Sequence, residues 1–582
     1  MSDDSSVGLT RRDVLRLGAL AGAGASLAPL AASPVPAAAA ATAPSDFSEM
    51  TVAQLQGLMG AGQARSTDLV NFYLRRIQAL DQGGPFVNSV IELNPDAQAI
   101  AQQLDAERQA GHVRGPLHGV PVLLKDNVDT GDRMQSAAGS LALVGTPATQ
   151  DATMAANLRS AGAVILGKTT LSEWANFRSF FSTSGWSGRG GQCNNPYAID
   201  RNPCGSSSGS AAAAAANFTA VSIGTETDGS IVCPANHHAV AGIKPTVGLV
   251  SRAGVVPISH TQDTVGPHTR TIADAAAVLT AIAQRTPDPR DAATRPHRNL
   301  VKSDYTSFLD PNGLSGARIG VIRDYSGLSP HTDDVFEAAL TAMRNAGAVL
   351  VDPLSFPHIS DINNGTAEFT VLLYDFKADL NKYLAGRSGV PIHSLQDAIN
   401  FNNAHIDQEM PFFAQEIFDL AQTFAVGPNT GDVIQPLGLS YNQALAQDTL
   451  FGATEGIDLL LSQNHLDALV APTDTPSWPT DLINGDHFVF GSSTAPAIVG
   501  YPIINMPMGF SFGVPVGISF MGTAFSDPIL IRLASGFEHA TPARKPPKFL
   551  ATLPFNTKGA PTPTRVHRRR NVPQGRVAPF RI

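Results

Sequence analysis

Apolar positions recur at two spacings along this chain, and Gly and Pro mark where one gives way to the other. Leu69, Phe72, Tyr73, Ile77 and Leu80 share one helical face, with Ser66 placed to cap it. Residues 87–93 read as a strand, and Asn94-Pro95 opens a helix that Gly111 ends. In GVPVLLKDNVDT (residues 119–130), Pro121 starts a wholly apolar strand that closes on Lys125. A helix over 153–161 and a strand over 163–166 follow, separated by Gly162. Further strands at 220–224, 317–321, 348–351, 466–472, 503–509 and 516–521 alternate with helices at 211–216, 272–285, 333–347 and 529–539. Residues 239–259 carry the Gly/Pro punctuation of short strands and turns, and 286–309 form a connector rich in Pro and charge. Residues 355–465 are mostly helical, with Phe, Tyr and Leu at helical spacing, most of them core and some bordering a substrate entrance. This alternation predicts an α/β fold built in layers.

The two ends depart from the pattern. Arg11 and Arg12 precede a charge-free run over 17–32, rich in Ala, Gly and Leu, and small residues continue to Ala43. That order predicts a cleaved export signal of the twin-arginine type over 1–43 and an exported protein, periplasmic or extracellular. Gly and Pro29 make the run a poor bilayer span, so no stable membrane span is expected. Residues 556–582 hold Lys558, Arg565, Arg568, Arg569, Arg570, Arg576 and Arg581 and no acid, a composition that predicts a basic disordered tail. The main domain is therefore expected over 44–555.

Composition narrows the function. Of 582 residues, 43% are hydrophobic and 15% charged, enough for a large core. The net charge is −9 although the tail is basic, so the body is strongly acidic and is not expected to bind nucleic acid. The three cysteines, Cys193, Cys204 and Cys233, are too few for a disulfide framework and match no zinc spacing. They are expected as small buried side chains, with one disulfide open to an exported protein.

Candidate chemistry gathers in CGSSSGSAAAAAANFTAVSIGTETDGSIVCP, residues 204–234. Two hydroxyl-rich loops flank a small-residue helix and a short strand, a pattern unlike a polar, unpatterned linker. One reading is a nucleophile elbow, since residues 205–209 satisfy G-x-S-x-G with Ser207 as nucleophile and His487 or His539 as base. That elbow needs a strand directly before it, where NNPYAIDRNPC reads as loop. A second reading is a binding protein whose Gly/Ser loops cradle an anion. A third joins Lys125, Ser206 and Ser230. A serine needs a base to attack, and a lysine kept neutral by burial supplies one in place of histidine. Lys125 could equally be an ion pair with Asp126 beside it. The turn at Thr227, Asp228, Gly229 and Ser230 offers successive backbone N–H groups to an oxyanion.

At these residues the chain resembles the amidase signature family of serine hydrolases. The match runs in order through GVPVLLKDN, GKTTLSEWA, CGSSSGSAAAAAA, GTETDGSIVCPA, AGIKPTVGLVSRAG, TQDTVGP, APT and GYPIINMPMG, over roughly residues 45–540. The resemblance implies one large α/β/α domain around a twisted mixed sheet. It implies a Ser–cis-Ser–Lys triad with Lys125 as base, Ser206 as the cis-serine relay and Ser230 as nucleophile. It places the oxyanion N–H groups on Thr227, Asp228, Gly229 and Ser230, with Ser207 in support, and calls for no metal or cofactor. The implied substrate is a linear carboxamide, small or peptidic. GTETDGSI and the export signal look most like the bacterial peptide amidases, which remove C-terminal amides and release ammonia; aryl and fatty amides are the alternatives. Oligomeric state is left open. The chain departs from the common pattern in three motifs, at four positions. Glu226 and Asp228 replace Asp and Gly, Cys204 replaces a Gly, and Val232 stands where an arginine often follows the nucleophile. Loss of that cation disfavours small anionic substrates and a role in an amidotransferase.

Overall fold

The apolar runs become one mixed sheet, which has eleven strands among the described residues. In chain order these are β1 (Val90–Leu93), β2 (Pro121–Lys125), β3 (Val164–Thr169), β4 (Val221–Glu226), β5 (Ala241–Lys244), β6 (Thr264–Thr269), β7 (Arg318–Ile322), β8 (Val349–Leu354), β9 (Ala468–Pro472), β10 (Ile503–Ser511) and β11 (Val514–Met521). The computed structural model describes residues 45–296, 298–424, 433–434 and 437–554. The expected export signal and basic tail lie outside the described residues.

Across the sheet the order is β1-β3-β2-β4-β6-β5-β10-β11-β9-β7-β8. β3, β2 and β4 run parallel at one end, and β9, β7 and β8 at the other. Antiparallel pairs join the two sets through β6, β5, β10 and β11. β2 lies between two parallel neighbours and every residue in it is buried. That is why its sequence is a continuous apolar run rather than an alternating one.

Helix α1 (Ser208–Ala215) is buried along its whole length and packs on β2, β3, β4 and β6. Its alanines allow that close approach, and Gly209 requires it. A Cβ there would stand 2.6 Å from the Thr170 carbonyl oxygen and 2.8 Å from its nitrogen. The helices between 366 and 448 build a second core with the segment around Trp174 and Phe177. Phe369, Tyr374, Phe376 and Phe418 in those helices are fully buried, which makes them core, as the spacing predicts for most of the apolar positions.

Local boundaries move for identifiable reasons. Ser66 does not cap its helix: Arg65 occupies the cap position, and the Asp105 carboxylate accepts from the N–H groups of Ser66 and Thr67 at 2.6 and 3.1 Å. Ser66 Oγ instead donates to the Gly119 carbonyl at 2.8 Å. The helix after Asn94-Pro95 begins at Ala97. β3 runs past the apolar residues to include Lys168 and Thr169, because pairing with β1 and β2 continues there.

Candidate active site

The site forms where β2 and β4 end side by side. Lys125 is the last residue of β2, and Thr225 lies one residue from the end of β4. Both strands are buried on both faces, so the lysine side chain cannot reach water and must find partners inside. Its Nζ lies 2.8 Å from Ser206 Oγ, 2.9 Å from Thr225 Oγ1 and 3.2 Å from the Thr225 carbonyl. Asn127 Nδ2 donates to the same Thr225 hydroxyl at 3.0 Å. Burial pulls the ammonium down to about 7, against the opposing fields of Asp263 and Glu226.

Asp126 does not pair with Lys125. Its carboxylate takes Arg189 Nη1 at 2.6 Å and the N–H groups of Ala137 and Ala138 reach its carbonyl. The simple ion pair considered for Lys125 is therefore not formed.

The first hydroxyl loop approaches from above α1. Ser206 is fully buried and follows a cis peptide bond from Gly205. Its carbonyl accepts from Ser172 N at 3.1 Å. Ser207 spends its hydroxyl on Thr225, donating to the carbonyl at 2.9 Å and accepting from the N–H at 3.2 Å. It is a brace between the loop and β4. The residues before it form no strand, and His487 and His539 are exposed. The structure therefore lacks the strand that a nucleophile elbow needs.

The second loop leaves β4 as a tight turn into helix α2 (Val232–His237). Gly229 takes φ +75, a conformation that favours glycine. Ser230 is 8% exposed while Lys125 and Ser206 are 0%, so the site opens toward solvent at Ser230. The two loops meet where Ser207 N donates to the Ser230 carbonyl at 3.2 Å. The structure thus brings Lys125, Ser206, Ser207 and the 227–230 turn to one place.

Several contacts that hold this turn could not be read from the sequence. Glu226 Oε2 accepts from Ile231 N at 2.6 Å and Val232 N at 3.0 Å, closing the turn on itself. Thr227 Oγ1 donates to Asp263 Oδ1 at 2.6 Å, and Asp263 in turn accepts from the N–H groups of Ile258 and Ser259. Burial raises the Asp263 carboxyl to about 6. Asp228 Oδ2 accepts from Thr494 at 2.7 Å, and burial raises this acid as well. The signal for Asp263 was present in TQDTVGP, and Glu226 stood out as a departure, but neither position said what it would touch.

The cysteines need a correction. Cys204 and Cys233 form a disulfide, with Cα atoms 6.0 Å apart, and Cys193 remains free and buried. Both half-cystines are buried against Trp478 and Phe488, so they do fill core space, but as one covalent link. Closing a loop of this 29-residue separation stabilises a fold by roughly 3–4 kcal/mol in the chain-entropy account.

Among the described residues no helix is long and apolar enough to cross a membrane. Comparison with known proteins follows the same outline as the geometry. The structure superposes on native peptide amidase from Stenotrophomonas maltophilia with TM-score 0.80 and 50% identity, covering 87% of this chain and 100% of that one. It superposes on the peptide amidase PAM in complex with the competitive inhibitor chymostatin with TM-score 0.81 and 50% identity, covering 86% and 99%. A probable amidase of Arabidopsis thaliana is 43% identical over 512 residues, 86% of this chain and 92% of that protein. The amidase family model matches residues 68–531, a span that holds both hydroxyl loops, the lysine strand and the sheet that joins them. This chain therefore belongs to the amidase family, whose α/β fold it shares, and it is an enzyme that hydrolyses amide bonds.

Proposed function

We propose that the chain removes the amide from the C-terminus of peptides through a Lys125–Ser206–Ser230 relay. The observation that carries the relay is the surroundings of Lys125 Nζ. Three oxygens touch it and none belongs to a carboxylate. A neutral amine has two N–H groups and one lone pair. The N–H groups satisfy the two Thr225 oxygens, and the lone pair accepts the Ser206 proton. Ser206 then accepts the proton of Ser230, which attacks the substrate carbonyl. The backbone N–H groups of Thr227, Asp228, Gly229 and Ser230 hold the oxyanion. The proton returns to the leaving nitrogen, ammonia departs, and water resolves the acyl-enzyme by the reverse path.

The peptide-amide substrate is supported by the 50% identity to peptide amidase and by Val232, which removes a cation that would favour a free carboxylate near the nucleophile. The helices within 355–465 are proposed to border the entrance. Helix α3 (Thr366–Ala385) reaches toward the nucleophile turn through Glu368, which accepts from Gln262 at 2.8 Å and is raised by burial and by Asp228. Ammonia release across peptide amides, aryl amides and fatty amides tests the substrate, and a preference for either of the last two overturns it. Ser230→Ala is expected to cut turnover on any of them by about 10⁴-fold or more. A variant that keeps wild-type turnover removes the nucleophile assignment.

We also propose export. The Cys204–Cys233 disulfide supports it, because such links persist in oxidising compartments. Replacing Arg11 and Arg12 by Lys should retain the protein in the cytoplasm, and unchanged delivery would count against a twin-arginine signal.

A further inference from the structure

The relay needs two loops from different parts of the chain to hold a fixed distance. Residues 202–207 carry the Ser206 hydroxyl, and the 227–232 turn carries that of Ser230. Of the backbone contacts between them, Ser207 N to the Ser230 carbonyl is long at 3.2 Å. Ser207 Oγ also braces the first loop to Thr225 at the end of β4, just before the turn, and each loop is otherwise tied to its own surroundings. Ser206 is held by Ser172 through its carbonyl, and the nucleophile turn by Glu226 and Asp263. The direct covalent connection is the disulfide. Cys204 stands two residues before Ser206, and Cys233 three residues after Ser230. Cys233 also lies in the first turn of α2, where its N–H donates to the Gly229 carbonyl at 2.8 Å, so its sulfur is anchored to the turn itself. On the other side, Cys204 N donates to Asn202 Oδ1 at 2.7 Å, and the Cys204 carbonyl accepts from Ser208 Oγ at 2.5 Å at the start of α1. Trp478 and Phe488 cover the sulfurs.

We propose that the Cys204–Cys233 disulfide is a positioning element of the active site, clamping the Ser206 loop onto the Ser230 turn so that turnover depends on the oxidation state of this pair. The inference rests on the Ser206–Ser230 relay described above. Misplacing reacting groups by about 1 Å is enough to lower a rate by about 100-fold. Substrate contacts outside the two loops do not need the clamp, so its loss should fall on kcat rather than KM. Reduction by a dithiol moves two electrons and two protons from the reductant, breaks the S–S bond, leaves thiols on Cys204 and Cys233, and closes the reductant into a cyclic disulfide.

Alkylation in denaturant without reductant should label one thiol, Cys193, and three after reduction. Three labelled thiols in the oxidised, untreated enzyme would overturn the proposal. Cys204→Ala, Cys233→Ala and the double variant should each lose about 10- to 100-fold in kcat with KM within about two-fold, measured well below their unfolding midpoints. The three should agree with one another, because removing either sulfur breaks the same bond. Cys193→Ala should keep the wild-type rate. If the variants do not fold, wild-type enzyme refolded in dithiol and in oxidised glutathione makes the same comparison. Equal kcat for the two forms, or a loss confined to thermal stability, overturns the clamp. The outcomes separate from those of the relay. An active Ser230→Ala removes the relay whatever the cysteines do, whereas an inactive Ser230→Ala beside a fully active double variant removes only the clamp.

Discussion

Lys125 closes β2 and Lys168 stands one residue from the end of its parallel neighbour β3; both are completely buried, and burial lowers both. What touches them differs. Lys168 Nζ reaches the Val128 carbonyl at 2.6 Å and Ser136 Oγ at 3.0 Å, inside the fields of Asp126, Asp129, Asp132 and Glu92. Lys125 meets the hydroxyls of Ser206 and Thr225 and feels only Asp263 and Glu226. Four carboxylates and a carbonyl suit a cation. Two acids and a hydroxyl that has a proton to give suit a base. Burial alone therefore does not make a lysine a base; the chemistry of its contacts does.

The sharpest way to break this contrast is to replace each lysine by methionine, which keeps most of the volume. Lys125→Met is expected to lower kcat by about 10³- to 10⁴-fold, since a relay acts as a unit. Its unfolding free energy should stay within about 1 kcal/mol of wild type, because no ion pair is broken. In the wild-type enzyme kcat/KM should rise through pH 7 and level off above it, as the proposed relay requires the neutral amine. The sign for stability follows from the same shift. Between about pH 7 and 10.5 the unfolded chain binds more protons at Lys125 than the folded one, so this group makes stability rise with pH there. An unfolding titration of Lys125→Met should lack that increment. A limb that persists unchanged in the residual activity of Lys125→Met would assign it to another group.

Lys168→Met is the opposite case. It leaves Asp126 with Arg189 and Asp129 with Arg387, both still buried, but removes the cation between them. A loss of about 3 kcal/mol in unfolding free energy is expected, the low end for breaking a buried charge network. Its kcat at a temperature where it is folded should remain within about three-fold of wild type. A loss as large as that of Lys125→Met would erase the distinction drawn between the two.

How much of this contrast was legible in the sequence depends on the residue. Lys125 stood out because a lysine ending an apolar run is out of place. Lys168 did not, because Gly167 and Lys168 break the run that marks β3, and only pairing with β1 and β2 extends the strand over them. Asp126 was legible as a neighbour of Lys125 but not as its non-partner. At the end of a strand nothing in the sequence says which way the next carboxylate turns, and Arg189 lies 63 positions away. The serines were legible as hydroxyl clusters, and the family resemblance divided the roles among them. The disulfide was not legible, since the nearness of Cys204 and Cys233 is a consequence of how the two loops converge. The eleven-strand sheet shows the same division. Most of its strands follow from apolar runs, β6 with its sequence TVGPHT does not, and the spatial order of the strands does not follow from chain order.

The smallest effect tests the contacts rather than the lysines. Thr225→Val removes the hydroxyl that lies 2.9 Å from Lys125 Nζ but keeps the carbonyl and the shape of β4. Ser136→Ala does the same for Lys168. The protonated lysine has three N–H groups to place and the neutral amine two. Losing one acceptor therefore penalises the cation more than the base. The acid limb of kcat/KM should move to lower pH in Thr225→Val by about half a unit, equivalent to about 0.7 kcal/mol. Its plateau should fall by about ten-fold, because the lone pair is no longer held toward Ser206 by two fixed acceptors of the amine N–H groups. In Ser136→Ala neither limb nor plateau should move, since that hydroxyl serves a lysine outside the relay. A shift toward higher pH in Thr225→Val would mean that the hydroxyl stabilises the neutral amine, and the assignment of donors and lone pair around Lys125 would have to be reversed.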